Sequence, residues 1–160
     1  MAQAKRKPTT KPSRAPSAPA RPFTDPATLP DVYCSTCEGD CLEPLIPNGA
    51  TIAFSKLEAP KQGDFVVVWK RPEIVEPGRH QAIVKRLVMG IPPWVKSFPL
   101  KEHPQSDVHA LIVAEQMNPR RAFSIKCSDV IAVHKAIGYL AEGRPQASMI
   151  NTDDLLPMPV

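Results

Sequence analysis

Glycine is scarce in this chain, 7 residues in 160, while proline is abundant at 20. That balance speaks against long regular helices and fits short strands joined by turns and extended segments. No stretch sustains the 3.6-residue apolar spacing of an amphipathic helix, and no helix-turn-helix pattern appears, so that route to reading DNA is excluded. No apolar run approaches the ~18 residues a membrane helix needs, and the N-terminus lacks the apolar core of a secretory leader. These absences set the expectation of a soluble, cytoplasmic protein with no membrane partner. Aromatic residues make up only 6% of the chain. At 160 residues the chain suffices for one domain with a proper core and falls short of two of ordinary size.

What is present is unevenly distributed. Residues 1–30 hold Lys5, Arg6, Lys7, Lys11, Arg14 and Arg21 against Asp25 alone, a charge of +5 out of the chain's net +4. The remainder is therefore close to neutral, and direct nucleic-acid binding is expected only through the basic tail. The same 30 residues carry seven prolines among Ala, Ser, Thr and Lys, with few large apolar side chains to offset the entropy of ordering. The composition predicts a disordered, partly polyproline arm that either solubilises the chain, touches phosphates or docks into a partner's cleft. Residues 31–142 then form one domain, and 143–160 read as a flexible C-terminal tail.

Within the body, Asp31 to Cys37 reads as a first strand closed by Gly39-Asp40. Residues 41–45 suit a short helical turn with Asp40 placed to cap it. Pro47-Asn48-Gly49 is a turn signal, and Ala50 to Phe54 follows as a strand. A turn at residues 60–63 leads into Asp64 to Lys70, whose β-branched and aromatic run suits a buried strand. Residues 71–80 make a long polar connection, and Gln81 to Met89 returns as the partner strand. Further short strands are predicted near 94–98, 110–115 and 131–140. The fold class is mainly β, built of short strands and hairpins with loose tails.

Two stretches carry chemistry. Strand alternation puts Ile83, Lys85, Leu87 and Met89 on one face, so Lys85 is the charged member of an apolar row. A lysine in such surroundings loses hydration, and its neutral form becomes accessible as a base; the alternative is a side chain that snorkels past Leu87 to water. Cys41 follows Gly39-Asp40 at the start of a turn, where unpaired backbone N–H groups favour a thiolate or a developing oxyanion. Its alternative is a small buried residue acting as a hydrophobe.

In this order, Gly39-Asp40-Cys41-Leu42 with Pro44 and Pro47-Asn48-Gly49, Gly63-Asp64 before a valine run, and Val84-Lys85-Arg86-Leu87 resemble the LexA/signal peptidase superfamily. The late strand Val130 to Leu140, with Gly138 inside it, is similar to the family's closing strand, so the resemblance spans about residues 33–141. It implies the complex β-fold of the LexA C-terminal domain and of UmuD, with Cys41 as nucleophile and Lys85 as base. It also implies peptide-bond hydrolysis in the protein's own N-terminal segment or in a partner peptide, a homodimer, and a DNA-damage (SOS) response or polymerase partner. A catalytically silent interaction module of the same fold is the alternative. No cofactor is expected. The chain departs from the family in three places: Cys replaces the usual Ser, Leu42 replaces Met, and residues 1–40 contain no Ala-Gly or Cys-Gly bond. The cysteine matters chemically, because a free thiol titrates near ~8.5 and lysine near ~10.4, so proton transfer to lysine is favourable where serine's is uphill.

Cys34, Cys37 and Cys41 have the spacing C-x2-C-x3-C, which with Cys127, His103 or His109 would suit a metal- or redox-responsive regulator. A strand over 31–37 puts Cys34 and Cys37 on opposite faces, so no metal site is assigned. A structural disulfide is not expected in the cytosol.

Overall fold

Phe65-Val66-Val67-Val68-Trp69 is a run of β-branched and aromatic residues with no polar face, and all five side chains are buried. A strand of this kind needs apolar cover on both sides, and it lies in the interior of one seven-stranded antiparallel sheet. The computed structural model describes residues 22–92, 95, 110–140 and 152–160. Its strands are β1 (Val32–Thr36), β2 (Thr51–Ser55), β3 (Phe65–Lys70), β4 (Ala82–Leu87), β5 (Leu111–Met117), β6 (Arg120–Lys126) and β7 (Val130–Leu140). Their order across the sheet is β1-β2-β7-β3-β4-β5-β6. Among the described residues there is no α-helix, only four 3-10 turns.

Period-2 alternation sorts the core into two clusters. Phe65, Val67 and Trp69 join Phe54, Ile52, Leu42 and Ile46 in the first, while Val66 and Val68 join Leu87, Ile112, Cys127 and Val130 in the second. Each fully buried large side chain contributes about 1.5–3 kcal/mol. The strands expected over 31–37, 50–54, 64–70, 81–89, 110–115 and 131–140 meet β1, β2, β3, β4, β5 and β7. The strand expected near 94–98 falls largely outside the described residues. β6 is an addition, paired with β5 along its whole length from Leu111↔Lys126 to Met117↔Arg120.

Three expectations need correction. Residues 41–45 do make a short hydrogen-bonded turn, with Glu43 N–H donating to Asp40 O (3.0 Å) and Ile46 N–H to Leu42 O (3.1 Å), but among the described residues the expected Asp40 side-chain cap is not formed. The Asp40 carboxylate instead accepts from Asn118 Nδ2 (3.4 Å).

Residues 22–30, placed in the tail on composition, pack on the body. Pro26 is buried, Leu29 lies against the first cluster, and Lys56 Nζ donates to Ala27 O (3.2 Å) and Leu29 O (2.7 Å). The end of the chain, also read as a tail, is held as well. Leu156 exchanges backbone hydrogen bonds with Tyr139 (3.0 and 2.9 Å), and Met158 packs on the first cluster.

Candidate functional site: a cleft holding Cys41 and Lys85

The segment between β1 and β2 is a loop stapled at its base. Cys37 N–H donates to Ala50 O (2.8 Å) and Gly49 N–H to Cys37 O (2.9 Å). Asn48 Oδ1 accepts from Gly39 N–H (3.0 Å), while Asn48 N–H donates to Glu43 Oε1 (3.2 Å). Gly39 and Gly49 sit at φ 96° and 85°, in the left-handed region where a Cβ is costly, so the two glycines permit the bends that frame the loop. Leu42 and Ile46 anchor it in the core at 0% exposure, which leaves Cys41 half-buried at its turn. Among the described residues, Glu43 is the first of the turn whose N–H meets a backbone carbonyl; Cys41 and Leu42 precede it in the turn.

The Cys41 carbonyl is pinned from across the molecule. It accepts from Met117 N–H (2.7 Å) and Asn118 N–H (3.1 Å), at the tip of the β5–β6 hairpin. That tip reaches Cys41 because β5 parts early from β4: their ladder pairs only Arg86↔Glu115 and Leu87↔Ala114. Among the described residues, no strand pairs with the outer edge of Ala82–Lys85.

A cleft of about 420 Å³ opens beside this edge. Cys37 and Cys41, Trp69 and Tyr33, and Val84 and Lys85 all contribute to its walls. The volume lies in the range of small-molecule and peptide side-chain sites.

Lys85 is 8% exposed. It stands opposite Val66 in the ladder, in line with Ile83 opposite Val68, so it shares the face of the second cluster as the alternation predicts. Its Nζ lies 5.8 Å from the centre of the Phe123 ring, a cation–π distance. Among the described residues it forms no ion pair.

Cys37 is the residue that sequence reasoning left out of the site. Burial, then the neighbouring Cys41, push its thiol up to about 11; the Lys85 ammonium pulls it down and Glu38 pushes it up more weakly. Cys41 and Lys85 thus both bear on the Cys37 thiol, and all three residues contribute to the walls of the cleft. The signal available was the C-x3-C spacing itself, which bridges the loop from its stapled base to its turn.

The remaining cysteines lie elsewhere. Cys34 is exposed on β1, and Cys127 is buried in the second cluster, away from the Cys37 side of the sheet. All four described cysteines are free, and among the described residues no group of three His, Cys, Asp or Glu could hold a metal. His103 and His109 fall outside the described residues.

Behind the cleft, a polar chain ties three strands. Trp69 Nε1–H donates to the Tyr33 hydroxyl (2.9 Å), which lies 2.7 Å from His134 Nδ1. With Trp69 donating to it, the hydroxyl is free to donate its own proton to an unprotonated Nδ1. Burial pushes the Tyr33 hydroxyl up to about 12, with the Trp69 bond opposing, and burial followed by the Lys56 charge lowers His134.

Glu38 and, from the β3–β4 connection, Arg79 and His80 also line the cleft, and His80 Nε2 lies 3.6 Å from Glu38 Oε2. No family model, curated protein or solved structure matches the chain.

Proposed function

We propose that this chain is a peptidase-like domain of the LexA/signal peptidase type, in which Cys41 attacks a peptide bond and Lys85 moves the proton. The observation that carries the reading is that a turn-borne cysteine and a buried lysine with no ion pair among the described residues, far apart in sequence, line one cleft. The edge of Ala82–Lys85 beside them, unpaired among the described residues, offers main-chain partners to an extended segment, which suits a peptide rather than a compact ligand.

In the proposed reaction the Cys41 thiolate adds to the carbonyl carbon, and the turn's leading N–H groups receive the oxyanion. The C–N bond breaks as the leaving amine takes a proton from the Lys85 ammonium, which leaves a thioester and a neutral lysine. Water then gives a proton to Lys85 and its hydroxyl to the acyl carbon, which releases the acid and restores thiolate and ammonium.

A silent interaction module of the same fold is the second reading, favoured by one observation: residues 22–24 of the chain already lie against the cleft. Intact-mass analysis of the incubated protein separates the two. Peptidase activity produces fragments from the chain, or from an added peptide copying residues 18–28, in wild type but in neither Cys41→Ala nor Lys85→Met. No fragment from either source overturns the peptidase reading and leaves the module.

A further inference from the structure

We propose that Gln81 is the residue that reads the main chain of an extended peptide laid across this cleft, and that residues 22–24 are its occupant in cis. The inference rests on the cleft being a peptide site, and it adds how such a peptide is recognised.

A side-chain amide carries one acceptor and one donor group side by side, and so matches the N–H and C=O of a single extended residue. Gln81 makes both bonds to Thr24: Thr24 N–H donates to Oε1 (2.9 Å), and Nε2 donates to Thr24 O (3.0 Å). The clamp is held in place from behind. Nε2 also approaches Lys70 O (3.4 Å), and the Gln81 carbonyl accepts from Lys70 N–H (3.0 Å) where β3 and β4 begin to pair. Nothing in this contact depends on the side chain of the residue being read; it needs only a residue with an N–H.

The occupant is held by its backbone rather than by its large side chain, since Phe23 is 54% exposed. Its path is set downstream, where the Asp25 carboxylate accepts from Ala27 N–H (2.9 Å) and Lys56 binds two carbonyls. Residues 22–24 thereby line the same cleft as Cys41 and Lys85. Proline cannot supply the N–H that Oε1 accepts, and Thr24 is a non-proline residue between Pro22 and Pro26. The ligand class is therefore an extended segment with a non-proline residue at the clamp. It is presented by this chain or by a second molecule that displaces residues 22–24.

The test uses the full chain with Cys41→Ala, so that it stays informative whether or not the cleft cleaves anything. The probe is a fluorescein-labelled peptide copying residues 18–28, read by fluorescence anisotropy. Thr24→Pro in the protein removes the cis N–H and loosens the occupant, and the probe should then bind about tenfold more tightly than to the parent. Adding Gln81→Glu keeps the size and the acceptor but loses the donor facing the carbonyl, and should abolish that gain. A probe carrying proline at the position of Thr24 should not bind the Thr24→Pro protein. Circular dichroism and melting curves confirm that each variant is folded. Equal affinity of the probe for Thr24→Pro with and without Gln81→Glu, or no binding to any folded variant, overturns the proposal.

Discussion

A lysine held at 8% exposure without an ion pair among the described residues has given up most of its hydration for the face of one aromatic ring. A structural lysine would be expected either to reach water or to meet a carboxylate, so the arrangement at Lys85 calls for a developing or fixed anion nearby. The position was legible because a strand has a strict period of two: Ile83 and Leu87 set the face, and Lys85 had to follow. Cys37 was not legible as a neighbour, since its place depends on the loop folding back so that Cys37 and Ala50 pair. A second residue-scale feature is Thr51, 6% exposed, whose Oγ1 has no hydrogen-bond partner among the described residues. An unmet buried hydroxyl costs about 1–3 kcal/mol. Thr51→Val should therefore raise the unfolding free energy in urea by about 1 kcal/mol, and a loss of stability of that size would show that the hydroxyl is satisfied.

Among elements, the Tyr33–Trp69–His134 chain joins β1, β3 and β7 across the face of the first cluster. His134 is buried with an Nδ1 placed to accept, and burial holds its pKa below the ordinary value of 6.5. Because the folded value lies below the unfolded one, the neutral ring's stabilising contribution is complete above about pH 6.5 and is lost as pH falls through the folded value. Urea unfolding should show stability falling as pH drops below about 6.5, with a shallower fall in His134→Asn; identical slopes would remove His134 from the account.

The C-terminal segment supplies a second test at this scale. A Cβ at Gly138 would sit 2.7 Å from Leu155 Cβ and 2.9 Å from Leu156 O, closer than atoms pack. Gly138→Ala should therefore displace the segment, cost about 1–3 kcal/mol and speed carboxypeptidase digestion; unchanged digestion would contradict the docking. Gly138 stood out in the sequence as a glycine inside a strand, but its partner 17 residues on did not, since Leu155-Leu156 looks like any loop dipeptide. β6 did carry a signal, Asn118-Pro119 followed by Phe123 and Ile125 two apart. It was obscured by Arg120-Arg121 and by the weak burial of an edge strand.

For the molecule as a whole, the strands were legible because alternation and turn residues are local, and the attachment of residues 22–30 was not because its contacts are remote. Gln81 and Lys56 hold that segment from the body, and neither announces the contact in the sequence. The candidate site has the same character. Its two candidate residues come from a loop and a strand, and both line one cleft beside the edge where the β5–β6 hairpin leaves β4 and pins the Cys41 carbonyl.

The measurement that tests this convergence most directly is the rate of alkylation of each cysteine by iodoacetamide at neutral pH, mapped by mass spectrometry in wild type and Lys85→Met. Methionine keeps the apolar stem and removes the charge. Cys37 and Cys127 are buried thiols pushed up by that burial, and Cys34 is raised by burial as well, so Cys41 should react fastest in wild type. Removing the Lys85 charge should slow Cys41 by about tenfold and leave Cys34 unchanged. Equal Cys41 rates in the two proteins would mean that Lys85 and Cys41 do not act together, and the catalytic reading of the cleft would fall.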